Sequence, residues 1–254
     1  MKRTSILIYG VVSYLIFFAS FLYAIGFIGN FGVPVTIDAD PSRPMVEALM
    51  IDLGLLALFA LQHSGMARRG FKEQWTKIVP PAAERSTYVL FSSIALIAIM
   101  ALWQPIGGLC WDVQNEIGRI ALLSLYLFGW ALVLVSTFLI NHFDLFGLAQ
   151  VWAFFQGREY VHPKFRTPSL YRIVRHPLYV GWIIVMWAAP TMTLAHAVFA
   201  LVCTVYIVAA IQFEEKDLVH YHGDQYRQYQ KEVPMLIPRT PRSRDAVNPP
   251  LDLA

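Results

Sequence analysis

Arg175-His176-Pro177-Leu178-Tyr179-Val180-Gly181 opens the stretch that decides the fold of this chain. Two apolar segments come next, 177–192 and 196–213, and a short break that begins at Pro190 separates them. A helix of about 17 apolar residues is just long enough to cross the hydrocarbon core of a bilayer. Two such helices joined by a tight turn form a hairpin, so we expect the residues before the first segment to lie beside those after the second.

The polar side chains at the two ends of this hairpin predict a ligand site. Arg175 and His176 precede a helix that Pro177 is suited to begin, and the free amides and positive dipole of a helix start attract anions. Glu214 and Glu215 follow the second segment and supply acceptors for a cation. We expect Glu214 to lie nearer to His176, because it is the first residue after the segment.

Aromatic side chains accompany these charges. Tyr179, Tyr226 and Tyr229 are predicted to offer ring faces to a cation or to a stacked base. A ligand with a carboxylate, an ammonium, a cationic centre and an aromatic ring would match this set, and S-adenosylmethionine has all four. Each residue taken alone also has an ordinary explanation, as an interfacial anchor or as a solvated helix end.

The composition indicates a membrane protein. Hydrophobic residues make up 57% of the chain and charged residues 15%, whereas soluble domains carry about 25% charged residues. A net charge of +3 on scattered residues does not indicate nucleic-acid binding, and two separate cysteines suggest neither a metal site nor a disulfide. We predict one domain over residues 1–238, with 239–254 as a disordered tail, and no obligate protein partner is inferred.

Four further apolar segments precede the hairpin, and with it they predict an all-α bundle of about six membrane-spanning helices. The six segments are 5–28, 46–62, 86–103, 117–140, 177–192 and 196–213. Of the 20 Lys and Arg residues, only Arg43 and Arg119 fall outside the connections on one side of this bundle. Because positive residues concentrate on the cytoplasmic side, both termini are predicted to be cytoplasmic, with the protein in a bacterial inner membrane.

Polar residues also end the second and fourth segments. Gln62 and His63 close the second, and Asn141, His142 and Asp144 follow the fourth, at the same level as the polar ends of the hairpin. Polar groups at a membrane edge merit a functional hypothesis. We predict His142, oriented by Asp144, as a catalytic base, with His63 as the substitute and Gln62 and Asn141 as substrate contacts. The alternative is hydrogen bonding between helices.

Two polar residues are predicted to be structural. Asp52 lies deep in the second segment and should have a hydroxyl or amide partner inside the bundle. His196 sits in the outer turn of the hairpin, at the opposite end from the predicted site.

The motif at 175–181 and its downstream partners resemble a known signature. Glu214-Glu215-x-x-Leu218, Gly223-x-x-Tyr226-x-x-Tyr229 and Val233-Pro234 complete a pattern similar to the C-terminal signature of the isoprenylcysteine carboxyl methyltransferase superfamily. Gln62-His63-Ser64 and Asn141-His142-Phe143-Asp144-Leu145-Phe146-Gly147-Leu148 resemble the bacterial branch that contains methanethiol S-methyltransferase and the NnrU-like proteins.

This resemblance implies an integral-membrane enzyme that uses S-adenosylmethionine. It places cofactor contacts on the C-terminal motif, including Gly181. It also implies a small thiol as methyl acceptor, most specifically methanethiol, which would enter from the lipid bilayer and leave as dimethyl sulfide.

Three other functions stay open from the sequence. The same cofactor would serve a methyltransferase acting on a prenylcysteine carboxylate or on a lipid amine. A haem-binding membrane protein would use His63, His142 or His176, although every one of these lies at a helix end. A transporter is the third possibility, but the chain shows no pair of broken helices in two related halves.

Overall fold

The computed structural model describes residues 2–163 and 165–238, and helices make up most of that part. The predicted tail, 239–254, lies outside the described residues. The helices are α1 (Lys2–Gly29), α2 (Met45–Ala67), α3 (Arg69–Trp75), α4 (Pro81–Leu102), α5 (Glu116–Ile140), α6 (His142–Leu145), α7 (Leu148–Phe155), α8 (Pro177–Trp187), α9 (Leu194–His222) and α10 (Asp224–Glu232). The two short strands are β1 (Leu109–Asp112) and β2 (Thr191–Thr193), which pair antiparallel.

Five of these helices, α1, α2, α4, α5 and α9, are long and apolar enough to cross a membrane. Their large apolar side chains, such as Leu61 and Ile117, are widely exposed, as expected of a surface that faces lipid. Together with the near absence of strand among the described residues, this confirms the predicted class of all-α integral membrane protein.

The segment predicted as the fifth span is shorter than expected. Helix α8 has 11 residues and is therefore only about 16 Å long, half the thickness of a hydrocarbon core. Its C-cap, Ala188, leaves helical geometry, and the chain continues into β2. In the described part of the chain, five long helices and this shorter one thus stand where six similar spans were predicted.

Helix α8 packs closely on α5 through two glycines. A Cβ atom added at Gly181 would lie 2.8 Å from the carbonyl oxygen of Gly129 and 2.9 Å from the amide nitrogen of Val133. One added at Gly129 would lie 3.1 Å from the carbonyl oxygen of Gly181. Small residues let membrane helices approach to backbone contact. Gly181, predicted to contact the cofactor, therefore positions α8 against its neighbour.

We expect Gly181→Ala to lower stability, because the new methyl group meets backbone atoms that cannot rotate away. Overpacking of this kind costs about 1–3 kcal/mol. Thermal unfolding in detergent measures the loss. Gly54→Ala is the matched control: a Cβ there meets nothing within 4 Å, and alanine favours a helix by up to about 1 kcal/mol. Equal melting temperatures for the two variants would contradict the close-packing interpretation.

At the end of the bundle that carries β1 and β2, a buried pair joins the α8–α9 turn to the α1–α2 loop. His196 Nδ1 lies 2.8 Å from Asp38 Oδ2, and His196 is fully buried. Burial alone would raise the pKa of Asp38. Its hydrogen bonds and the adjacent His196 have the larger, opposite effect, so the pKa of Asp38 is lowered below its ordinary value. His196 thus lies in a structural contact, as predicted.

Asp52 also has the expected kind of partner. The backbone amide of Gln104 donates to Asp52 Oδ1 over 2.8 Å. This bond links α2 to the end of α4 inside the bundle, which confirms the prediction of an internal amide partner.

Candidate functional site

One carboxylate holds together the two ends of the hairpin. Glu215 Oε1 accepts from Arg175 Nε at 2.6 Å and from His176 Nε2 at 3.0 Å, and Gln230 Nε2 donates to Glu215 Oε2 at 2.8 Å. The side chains of Arg175 and Glu215 are each only 11% exposed. We call these four residues the Glu215 tie. The Glu215 tie confirms that the start of α8 meets the acidic pair of α9. It also joins α10 to this contact through Gln230.

The expectation that Glu214 lies nearer to His176 is wrong, because Glu215 makes that contact. Successive helix residues point about 100° apart, and Glu215 is the one that turns toward α8. Glu214 instead accepts a hydrogen bond from the hydroxyl of Tyr179 at 2.8 Å and stays exposed. Glu214 is therefore the carboxylate that remains open to a ligand.

The start of α8 has the geometry that its sequence predicts. Pro177 occupies the first helical turn, and the amides of Arg175 and His176 just before it donate to Pro234 O at 2.8 Å and Met235 O at 3.2 Å. The amides of Leu178 and Tyr179 have no partner within the helix, because they belong to its first turn. These two amides, with the dipole of the helix, can receive a carboxylate.

Tyr226 and Tyr229 are packed away from any open surface. They form a cluster with Val233 and the partly buried Phe165, and Tyr226 is 1% exposed. The hydroxyl of Tyr229 donates to Tyr171 O at 2.5 Å. Burial raises the pKa of Tyr229 to about 12. The expectation that both rings offer free faces is wrong, because they form the contact by which α10 docks on the bundle.

His142 is buried between two hydroxyl groups. Its Nδ1 lies 2.8 Å from Thr137 Oγ1, its Nε2 lies 2.8 Å from the hydroxyl of Tyr14, and its ring is stacked on Phe138. Burial lowers the pKa of His142 below its ordinary value. Both ring nitrogens are therefore engaged within the protein.

Asp144 does not orient His142, so the predicted pair is wrong. Asp144 accepts instead from Tyr160 and, at 3.2 Å, from Gln150. Asn141, with a φ of 118°, ends α5, and its side chain caps α6, on which residues two apart do not face each other. The short helix then directs His142 back into the bundle and Asp144 toward α7. Asn141, predicted as a substrate contact, makes this turn.

His63 lies in a different polar cluster, between α2 and α4. Its Nε2 is 2.9 Å from the hydroxyl of Tyr88, and its Nδ1 is 3.1 Å from Ser92 Oγ. Gln62 also donates to Ser92 Oγ at 3.4 Å, and its side-chain oxygen is buried without a partner among the described residues. Sequence reasoning missed Tyr88 and Ser92. Their spacing of four on an apolar helix was the available signal, since it places both on one face.

Tyr88 connects His63 to the foot of the hairpin. Tyr88 interacts electrostatically with Tyr179, Tyr206 and Glu214, and Tyr179 interacts with Tyr206. We call His63, Tyr88, Tyr179, Tyr206 and Glu214 the tyrosine cluster. The structure therefore links His63 through Tyr88 to the hairpin end, while His142 and Asp144 make contacts elsewhere.

A cleft of about 250 Å³ opens between α9 and α10, beside the Glu215 tie. It is lined by Gln212, Glu215, Lys216, Val219 and Gln230. Lys216 adds a positive charge to a wall that also presents amide, carboxylate and apolar groups. Among residues 2–163 and 165–238, no three His, Cys, Asp or Glu side chains converge as metal ligands would.

These features define a polytopic helical membrane protein with a polar site at one end of its bundle. Residues 56–233 match the family described as protein of unknown function DUF1295. The chain is 55% identical to methanethiol S-methyltransferase of Crocosphaera subtropica over 94% of this chain and 93% of that protein. It is 50% identical to methanethiol S-methyltransferase of Mycobacterium tuberculosis over 94% of this chain and 98% of that protein.

The chain therefore belongs to the DUF1295 family, in the branch that its methanethiol S-methyltransferase relatives represent. The predicted branch is confirmed. A more distant relative is Nurim of Pan troglodytes, which is 31% identical over 69% of this chain and 70% of that protein. No solved structure matches the chain significantly.

Proposed function

We propose that this protein transfers a methyl group from S-adenosylmethionine to methanethiol and so produces dimethyl sulfide. The observation that carries the proposal is the match to relatives named methanethiol S-methyltransferase, at 55% and 50% identity over nearly the whole of each chain. The site supports it independently, because a polar cluster lies where apolar helices meet the membrane edge.

The residues present fit the proposed donor. Glu214 is exposed and has one oxygen beyond its bond to Tyr179, so it can accept from an ammonium or face a sulfonium. The first turn of α8 supplies amides for a carboxylate, and Lys216 lies on the wall of the adjacent cleft. When bound, the donor supplies an electrophilic methyl group on a positively charged sulfur. The protein's own task is to align and desolvate the reacting pair.

The acceptor must lose a proton, because the thiolate is the nucleophile and free thiols titrate at about 8.5. His63 is the imidazole of the tyrosine cluster, and we assign it as the group that receives this proton. The deprotonated sulfur would then be the nucleophile toward the electrophilic methyl group that the bound donor would supply. Tyr88 and Ser92 hold the imidazole ring in place through its two nitrogens.

The orientation proposed for the protein places the tyrosine cluster and both termini on the cytoplasmic side. Lys and Arg residues favour that side, and they flank the ends of α2, α4 and α8 that carry the site. We expect reporter fusions after Ala254 and near Asp112 to report opposite sides of the membrane. The same side for both fusions would contradict this orientation.

The experiment that tests the function is methyl transfer by purified protein in detergent. The donor is S-adenosylmethionine with a labelled methyl group, and the acceptors are methanethiol, longer alkanethiols, a prenylcysteine and a phosphatidylethanolamine. Labelled dimethyl sulfide from methanethiol is the expected product. Labelling of the prenylcysteine or of the lipid amine, without labelling of any thiol, would overturn the proposal. An absorbance spectrum of the same sample tests haem binding.

A further inference from the structure

A groove of about 410 Å³ runs between α2 and α9 beside the tyrosine cluster. Its walls are mainly apolar or small, and they include Leu61, Gly65, Ala209 and Phe213. Leu61 is 74% exposed and Phe213 is 48% exposed on helices long enough to cross the membrane. The groove therefore opens sideways, toward lipid.

A partly exposed ion pair spans the polar end of the groove. Arg68 Nη1 lies 3.5 Å from Asp217 Oδ2, and the Arg68 guanidinium lies 4.5 Å from the ring centre of Phe213. These contacts join α9 to the end of α2 across the groove. A molecule in the groove thus meets a charged barrier toward water and an open side toward the bilayer.

The floor of the groove is a pair of hydroxyl groups. Ser64 Oγ and the hydroxyl of Tyr206 share a hydrogen bond of 2.9 Å between α2 and α9. Behind the pair, the ring of Tyr206 lies edge-on to Phe59 at 6.4 Å, and Phe59 is stacked on His63 at 5.2 Å. The Ser64–Tyr206 pair therefore separates the groove from the imidazole assigned as the proton acceptor.

We propose that the Ser64–Tyr206 pair is the size filter of the enzyme, at the floor of the groove by which the thiol arrives from the bilayer. The inference rests on the proposed function and adds the determinant of acceptor size. A thiol with one carbon passes the phenol ring with a small displacement. A longer alkyl chain would occupy the volume of that ring, so the ring excludes it.

The first test compares acceptors of increasing length, from methanethiol to butanethiol, in wild-type protein, Tyr206→Phe and Tyr206→Ala. We expect Tyr206→Ala to raise kcat/KM for butanethiol relative to methanethiol by roughly tenfold or more, because a few methylenes in an apolar site are worth that much discrimination. Tyr206→Phe keeps the ring and should retain most of the wild-type profile. A folded Tyr206→Ala variant with the wild-type profile would overturn the filter.

The second test blocks the groove without changing Ser64 or Tyr206. It tests the groove as the entry route even if Tyr206→Ala does not fold. A Cβ added at Gly65 or at Gly54 meets nothing within 4 Å, but only Gly65 lines the groove. We expect Gly65→Leu to lower kcat/KM for methanethiol by roughly tenfold with unchanged S-adenosylmethionine affinity, and Gly54→Leu to have wild-type kinetics. Wild-type kinetics in both variants would exclude the groove as the entry route.

These outcomes are distinguishable from failure of the proposed function. A wild-type protein that methylates no thiol contradicts the function itself. An active wild-type protein whose acceptor profile survives Tyr206→Ala and whose rate survives Gly65→Leu contradicts only the filter.

Discussion

Turnover of methanethiol should fall by roughly 100-fold in His63→Gln, the usual scale for loss of a general base, while S-adenosylmethionine affinity stays unchanged. Glutamine retains hydrogen bonding to Tyr88 and Ser92 but does not take up a proton near neutral pH. The side chain of His63 contacts those two hydroxyl groups within the tyrosine cluster. The variant should recover part of the loss as the pH rises and the thiol ionises in solution. Initial rates measured over a pH series give both results.

His142→Gln is the matched control for this prediction. His142 is also an imidazole held by two hydroxyl groups, those of Thr137 and Tyr14, but it has no contact with Asp144. We expect its turnover per folded molecule to stay close to that of the wild type, with no gain specific to high pH. If His142→Gln lost its turnover of methanethiol while His63→Gln kept wild-type turnover, His142 would be the base instead.

The largest expected effect on folding belongs to Glu215→Ala. This substitution leaves Arg175 and His176 without their shared carboxylate in a nearly buried site. Breaking a buried pair in this way lowers the free energy of unfolding by about 3–5 kcal/mol. Arg175 keeps its bonds to Gln230 O and Val233 O, so we expect a loss near the lower limit. The melting temperature in detergent should fall, and α10 should become sensitive to protease before the rest of the bundle.

Glu214→Ala is the control with the opposite signature. Glu214 is the exposed carboxylate and is bonded to Tyr179 alone among the described residues. The variant should keep the wild-type melting temperature and lose affinity for S-adenosylmethionine, as measured by calorimetry. Wild-type affinity in Glu214→Ala, together with wild-type stability in Glu215→Ala, would contradict the division of roles between the two carboxylates.

The contacts of residues one or two positions apart were the hardest to predict from the sequence. The order of Glu214 and Glu215 along the chain favoured the first as the neighbour of His176, whereas the rotation of α9 brings the second there. Similarly, the order of His142 and Asp144 suggested a pair, but both lie on α6, where residues two apart do not face each other. In both cases the direction of a side chain depends on how a helix is rotated and where it begins, which spacing alone does not define.

The sequence by itself determined the membrane class, the long apolar helices and the meeting of Arg175 and His176 with the acidic end of α9. Those features follow from hydropathy, from segment length and from the Pro177 helix start, all of which are local properties. Only the tertiary structure decided that Gly181 is a packing contact, that α8 ends at Trp187, and that the Tyr226 side chain of α10 is buried against Phe165. It also revealed the Ser64–Tyr206 contact, which joins residues 142 positions apart. These depend on the rotation and separation of helices from distant parts of the chain, set by packing that no single segment encodes.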